Sequence, residues 1–156
     1  MNIDSIKNGY VIDHIQAGEA LEIYNYLNLG DLDTQVAIIK NAKSKKSGRK
    51  DIIKIDEITD INLDILGYLD SKITVNKIVN GKIVDKYHPE LPEKLVNIIK
   101  CKNPRCITSI EQELPHICEL TDRENKVYRC KYCEEKVNWF FWKVVKKWEY
   151  YYKVED

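Results

Sequence analysis

The chain has 156 residues and carries 25 basic against 25 acidic side chains, a length for one domain or two small ones. Through His88 it holds 12 basic and 13 acidic residues, so neither part has the strong basic excess of a dedicated nucleic-acid binder. No stretch approaches the length and apolarity of a membrane span, and the start Met1-Asn2-Ile3-Asp4-Ser5-Ile6-Lys7 lacks the features of a secretory signal.

Gly9 to Ile15 reads as a strand rich in β-branched residues. In Gly18 to Leu27, Ala20, Ile23, Tyr24 and Leu27 fall at helical spacing, and Asn28-Leu29-Gly30 supplies a stop. Gln35 to Ala42 resembles a strand with apolar groups on both faces, which predicts a central position. The basic run Lys43 to Lys50 reads as a solvated hairpin loop. Lys50 to Glu57 alternates, with Ile53 and Ile55 on one face and Lys50, Ile52, Lys54 and Asp56 on the other. Asn62 to Leu69 suggests a second helix. Ile73 to Val79, the turn Asn80-Gly81 and Lys82 to Tyr87 predict a hairpin, because Asn-Gly readily takes the positive φ angles of a two-residue turn. The order predicts an α+β fold: a ferredoxin-like antiparallel sheet with two helices on one face. Two prolines in His88-Pro89-Glu90-Leu91-Pro92 mark the expected boundary, giving domains 1–90 and 91–156.

The second part is organised around two cysteine pairs, Cys101 with Cys106 and Cys130 with Cys133. Each pair is close enough to form one arm of a tetrahedral thiolate cage, and four sulfur ligands suit a structural Zn²⁺ with no open position for substrate. Disulfides or unrelated buried thiols are the alternatives. Cys118, the fifth cysteine, reads as a small buried hydrophobe. This usage fits a reducing cytosol, so a cytoplasmic location is expected. Leu95 to Lys100 and Val127 to Arg129 are expected as strands leading into the two knuckles of a small zinc-bound β-domain. The tail from Val137 to Tyr152 holds all three tryptophans and both phenylalanines. Its alternation suggests a strand with two apolar faces, a core strand or a subunit interface.

The ordered set Gly9 to Ile15, Gly48 to Ile55, Thr74-Val75-Asn76, Leu91-Pro92-Glu93 and the cysteine quartet resembles the regulatory chain of aspartate carbamoyltransferase, from about residue 3 to residue 137. The resemblance implies an N-terminal allosteric domain that binds CTP, UTP and ATP, and a C-terminal zinc domain that grips the catalytic chain. It also implies self-association as a regulatory dimer. Residue by residue, Asp13 and His14 match the family's nucleotide-site pair, Lys54 a lysine that meets ribose and base, Asn76 and Ile78 positions lining the pocket, and Lys86 a lysine that meets the triphosphate. Ile3-Asp4-Ser5-Ile6 aligns with a base-contacting stretch. Asn103 and Arg105 in the first knuckle are placed to meet the catalytic partner. Gly81 and Ile83 depart from the family's frequent Tyr and Val, which leaves base selectivity open, and the aromatic tail departs from its short polar ending.

Asp13 and His14 would face opposite ways in a regular strand, so only an irregular strand end offers both to one ligand. A single-stranded nucleic-acid binder is the competing reading, resting on the aromatic-basic tail and the Lys43 to Lys50 run. Enzyme activity is not expected. The sequence has no phosphate-binding glycine loop and no HExxH, and His14, His88 and His116 are scattered.

Overall fold

Alternating β-branched residues and positive-φ turns build most of the first half of the chain. In the computed structural model the described residues are 5–46, 48–57, 61–111 and 113–137. The chain divides into two units, residues 1–91 and 92–156.

The first unit runs β1 (Gly9–Gln16), α1 (Ala20–Tyr26), β2 (Val36–Ser44), β3 (Gly48–Asp56), α2 (Leu66–Leu69), β4 (Thr74–Val79) and β5 (Lys82–Tyr87). Its five strands form one sheet in the order β2-β3-β1-β4-β5, and all neighbouring pairs are antiparallel. The first four have the ferredoxin-like order, and β5 extends it by a hairpin. Asn80 and Gly81 both take positive φ, +53° and +77°, as a two-residue turn of this composition requires.

One face of this sheet is apolar. Ile12 pairs with Ile53 on one side and Val75 on the other, and all three have no exposed surface. Ile15, Ile55 and Ile73 are equally buried, and Ala20 and Ile23 of α1 and Leu66 of α2 join the same core. Gly9 lies where β1 crosses β3 at its tightest: a Cβ there would stand 2.0 Å from the Ile55 carbonyl oxygen. Gly67 in α2 is under the same constraint from the Glu90 carbonyl, so only glycine lets the exit segment lie against that turn.

Three expectations for the first unit are corrected. The basic run Lys43 to Lys50 is not a loop throughout: β2 continues to Ser44, β3 starts at Gly48, and Lys43 pairs with Arg49. The strand around Val36 to Ala42 is at the sheet's edge, not its centre, and its apolar residues are only partly buried. The helix expected over 62–69 shortens to the single turn Leu66–Leu69; Asn62 Oδ1 instead accepts from the Asp64 amide at 3.0 Å. That local bond competes with a helix start.

The second unit contains β6 (Lys94–Val96), α3 (Ile107–Ile110), β7 (Ile117–Asp122) and β8 (Val127–Cys130), with its strands ordered β6-β7-β8 in an antiparallel sheet. The strand expected over 95–100 stops at Val96 because Asn97 turns to φ +58° and exchanges bonds with His116: Asn97 N–H donates to His116 O at 2.7 Å, and His116 N–H to Asn97 Oδ1 at 2.9 Å. β7, the central strand, has no counterpart in the sequence reading. Among the described residues, Leu95, Ile99, Cys118 and Tyr128 are the buried apolar side chains of this unit besides the metal cluster. The aromatic-tail strand lies outside the described residues from Asn138 onward, as do Ile3 and Asp4. No described helix is long and apolar enough to cross a membrane.

Candidate metal centre and polar sheet face

The first knuckle is shaped by Asn103. Its side-chain oxygen accepts from the Arg105 amide at 3.0 Å, and its carbonyl accepts from the Cys106 amide at 3.0 Å and from Ser109 Oγ at 2.8 Å. The chain therefore turns back within five residues and brings Cys106 beside Cys101. In the second knuckle the Cys130 carbonyl accepts from Glu134 N–H at 2.9 Å, while Cys130 N–H donates to Glu135 O at 2.9 Å. Glu134 takes φ +64° to close that turn.

The ligand sulfurs of Cys101, Cys106, Cys130 and Cys133 all lie within 4.8 Å of one another. Cys101 and Cys133 are 3.5 Å apart and Cys106 and Cys130 are 3.7 Å apart. Four thiolates around one zinc, each at about 2.3 Å, sit about 3.8 Å from each other, so the spacing fits a tetrahedral ion. All five cysteines are free of disulfides. Burial pushes the Cys101 and Cys130 thiols up, while at Cys106 burial is overcome by hydrogen bonds to Thr108, which bring it down to about 7. A bound dication supplies the charge that keeps all four deprotonated. Cys118 pairs in register with Cys130 but holds its sulfur against the Ile99 carbonyl, and burial raises its thiol to about 12. It is the small buried residue expected. Asn103 is half-buried and Arg105 exposed.

The other face of the first sheet is polar, and its register aligns the expected residues. Val11 of β1 pairs with Lys54 of β3 and Asn76 of β4, and Asn76 pairs with Lys86 of β5. Lys54, Val11, Asn76 and Lys86 therefore form one row across four strands, all pointing away from the apolar core. Ile78 shares this face in the next row, opposite Gly9. Asn76 is 8% exposed, and its Oδ1 is buried with no hydrogen-bond partner among the described residues. Neither Lys54 nor Lys86 has an ion pair among the described residues.

A bulge in β1 between Ile12 and Ile15 resolves the facing problem of Asp13 and His14. His14 takes φ +58°, which puts its ring on the polar face, with Nδ1 3.2 Å from Thr74 Oγ1, the residue that pairs with Asp13. The Asp13 carboxylate accepts from His14 N–H at 2.7 Å and from Lys50 Nζ at 2.9 Å. Burial works against its charge, yet the Lys50 bond, the His14 amide and the nearby cations hold the carboxyl below its ordinary range.

Asp51 was not singled out by sequence reasoning, although a signal existed. Strand parity places it on the same side as Ile53 and Ile55, and a carboxylate on an apolar face needs partners. It is fully buried and accepts three backbone N–H bonds, from Gly18 at 2.9 Å, Ala20 at 3.2 Å and Asn41 at 2.8 Å.

A closed thiolate cage in one unit and an open polar sheet face in the other define a metal-stabilised, two-unit chain whose metal has no catalytic position. Residues 1–90 match the family model described as aspartate carbamoyltransferase regulatory chain, allosteric domain, and residues 93–139 match its metal binding domain. The chain is 54% identical over 135 residues to the aspartate carbamoyltransferase regulatory chain of Clostridium botulinum (strain Hall), covering 86% of this chain and 92% of that one. The same-named protein of Clostridium acetobutylicum is 53% identical over the same shares, and that of Bifidobacterium longum is 45% identical, with 87% and 98% covered. The chain belongs to the family of aspartate carbamoyltransferase regulatory chains, which are non-catalytic. Its four clustered cysteines form the site for one structural zinc.

Proposed function

We propose that the chain is an allosteric subunit that binds CTP, UTP and ATP on the polar sheet face of residues 1–90 and holds an aspartate carbamoyltransferase catalytic chain through residues 91–156. The observation that carries the effector site is the row Lys54, Val11, Asn76, Lys86 with its unpartnered Asn76 Oδ1. A buried carbonyl oxygen without a donor costs about 1–3 kcal/mol, a cost that a ligand N–H or O–H removes. Lys86 offers an ammonium group to polyphosphate on one side of it and Lys54 one toward ribose and base on the other, Asp13 accepts from ribose hydroxyls, His14 flanks the row, and Ile78 gives apolar contact. Binding regulates only if the nucleotide has different affinities for two quaternary states of the complex.

The zinc would hold the first knuckle's shape, so that Asn103 and Arg105 meet the catalytic chain. The outer edge of β2, with Val36, Ile38 and Ile39 half-exposed, offers a surface for a second copy of this chain in a regulatory dimer. Calorimetry with CTP tests the effector site. Lys54→Ala and Lys86→Ala are each expected to weaken binding about tenfold, the scale of a lost charge-assisted bond. Unchanged affinity in both variants would refute the assignment. Co-purification with a catalytic chain, abolished by zinc removal, tests the partner.

A further inference from the structure

Two of the three irregularities in the first unit's sheet lie against β3, opposite the neighbouring residues Ile52 and Asp51. In β1, Asp13 and His14 stand opposite the single residue Ile52, since Ile12 pairs with Ile53 and Ile15 with Asp51. In β2, Lys40 and Asn41 stand opposite Asp51 alone, since Ile39 pairs with Ile52 and Ala42 with Lys50. Each bulge contains one left-handed residue, His14 at φ +58° and Asn41 at φ +63°. A bulge leaves backbone groups outside the ladder, and these need partners from elsewhere.

In β1 the His14 amide goes to the Asp13 carboxylate, and in β2 Asp51 supplies the partner from the buried side. Its Oδ1 takes the Asn41 amide of the β2 bulge, and its Oδ2 takes Gly18 and Ala20, where the chain leaves β1 and starts α1. Glu19, the residue at the helix cap, makes no capping bond with its own side chain, so the Asp51 carboxylate serves the start of α1 instead. One carboxylate thus ties the segment that follows β1 to the bulge of β2. The preceding residue, Lys50, points to the opposite face and ion-pairs with Asp13. Adjacent residues of β3 therefore hold the β1 bulge directly, through Lys50, and the chain just beyond it, through Asp51.

We infer that Asp51 is a positioning residue for the effector face: by holding the β2 bulge and the chain just past the β1 bulge, it fixes where Asp13, His14 and Lys50 stand. This rests on the reading of that face as the nucleotide site. By linkage, a nucleotide that needs this geometry must in turn stabilise the Asp51 bonds, although it touches none of them.

The test uses the full-length, zinc-loaded chain and CTP. An asparagine at 51 keeps one accepting oxygen and loses the other, so Asp51→Asn frees either α1 or the β2 bulge. It is expected to weaken CTP about tenfold, and Asp13→Asn by a similar factor. If Asp51 acts through Asp13, the double variant stays near tenfold; a loss near hundredfold means independent effects and overturns the inference. Amide exchange of the unmodified chain does not depend on how the variant folds. CTP is expected to slow exchange at Gly18, Ala20 and Asn41, and unchanged rates there would overturn the inference. CTP binding to the unmodified chain with undiminished affinity in Asp51→Asn sinks this inference alone. Failure of the unmodified chain to bind CTP removes the nucleotide reading and this inference with it.

Discussion

Ile12, Ile15, Ile53, Ile55, Leu66, Ile73 and Val75 are all fully buried in the first unit, whereas the second has Leu95, Ile99, Cys118 and Tyr128 around a cluster of thiols. The first holds itself together by removing branched side chains from water. Among its described residues the second buries little apolar surface, and metal–sulfur bonds stand in for a larger core there. The first fold is therefore expected to survive without a cofactor and the second is not.

The largest expected effect breaks the second unit alone. Removing zinc with a mercurial, or Cys130→Ala, is expected to abolish its structure, since structural zinc sites carry apparent binding free energies of about 10 kcal/mol or more. Amide NMR should then lose the dispersed signals of β7 and β8 and keep those of β1, β3 and β4. Retention of both sets after complete metal loss would contradict the comparison.

The complementary change is Ile53→Ala. It deletes a central, fully buried side chain of the first sheet and is expected to cost about 2–5 kcal/mol in denaturant unfolding of that unit. Zinc affinity should not change.

The smallest effect concerns the Asp13–Lys50 pair. The folded state lowers the Asp13 carboxyl below its ordinary value of 3.8, so the pair's contribution is present above the unfolded value and is lost as pH falls through the folded one. Both side chains keep some exposure, and solvent screening limits the expected cost of Asp13→Asn at neutral pH to about 1 kcal/mol or less. Carboxyl NMR titration should show Asp13 protonating at lower pH than an exposed aspartate; a midpoint at or above 3.8 would remove the effect.

Much of this division was legible in the sequence. Period-two alternation showed which side of β3 is buried, Asn80-Gly81 announced its hairpin, and the cysteine spacings announced the cage. The misses have physical causes. An apolar strand with two mixed faces looks the same at an edge as at a centre, so β2 was misplaced. β7 reads Ile117-Cys118-Glu119-Leu120-Thr121-Asp122, too polar in its second half to stand out, and it forms because β6 and β8 flank it. The bulge that turns His14 toward Thr74 arises in the pairing of β1 with β3, where Asp13 and His14 face Ile52, 38 positions after His14, and no local pattern encodes it. The residues of the polar face came from the resemblance, and their alignment in one row came only from strand register.

β5 has a further consequence, for solubility. It ends the sheet with all six residues exposed, Ile83 and Val84 among them at 61% and 58%. An open strand edge with apolar side chains on both faces is a template for pairing with another chain. Lys82, Asp85 and Lys86 are the charges that interrupt it. Lys86 thus guards against aggregation in addition to any role toward ligand, and removing its charge is expected to increase self-association even where no nucleotide is present.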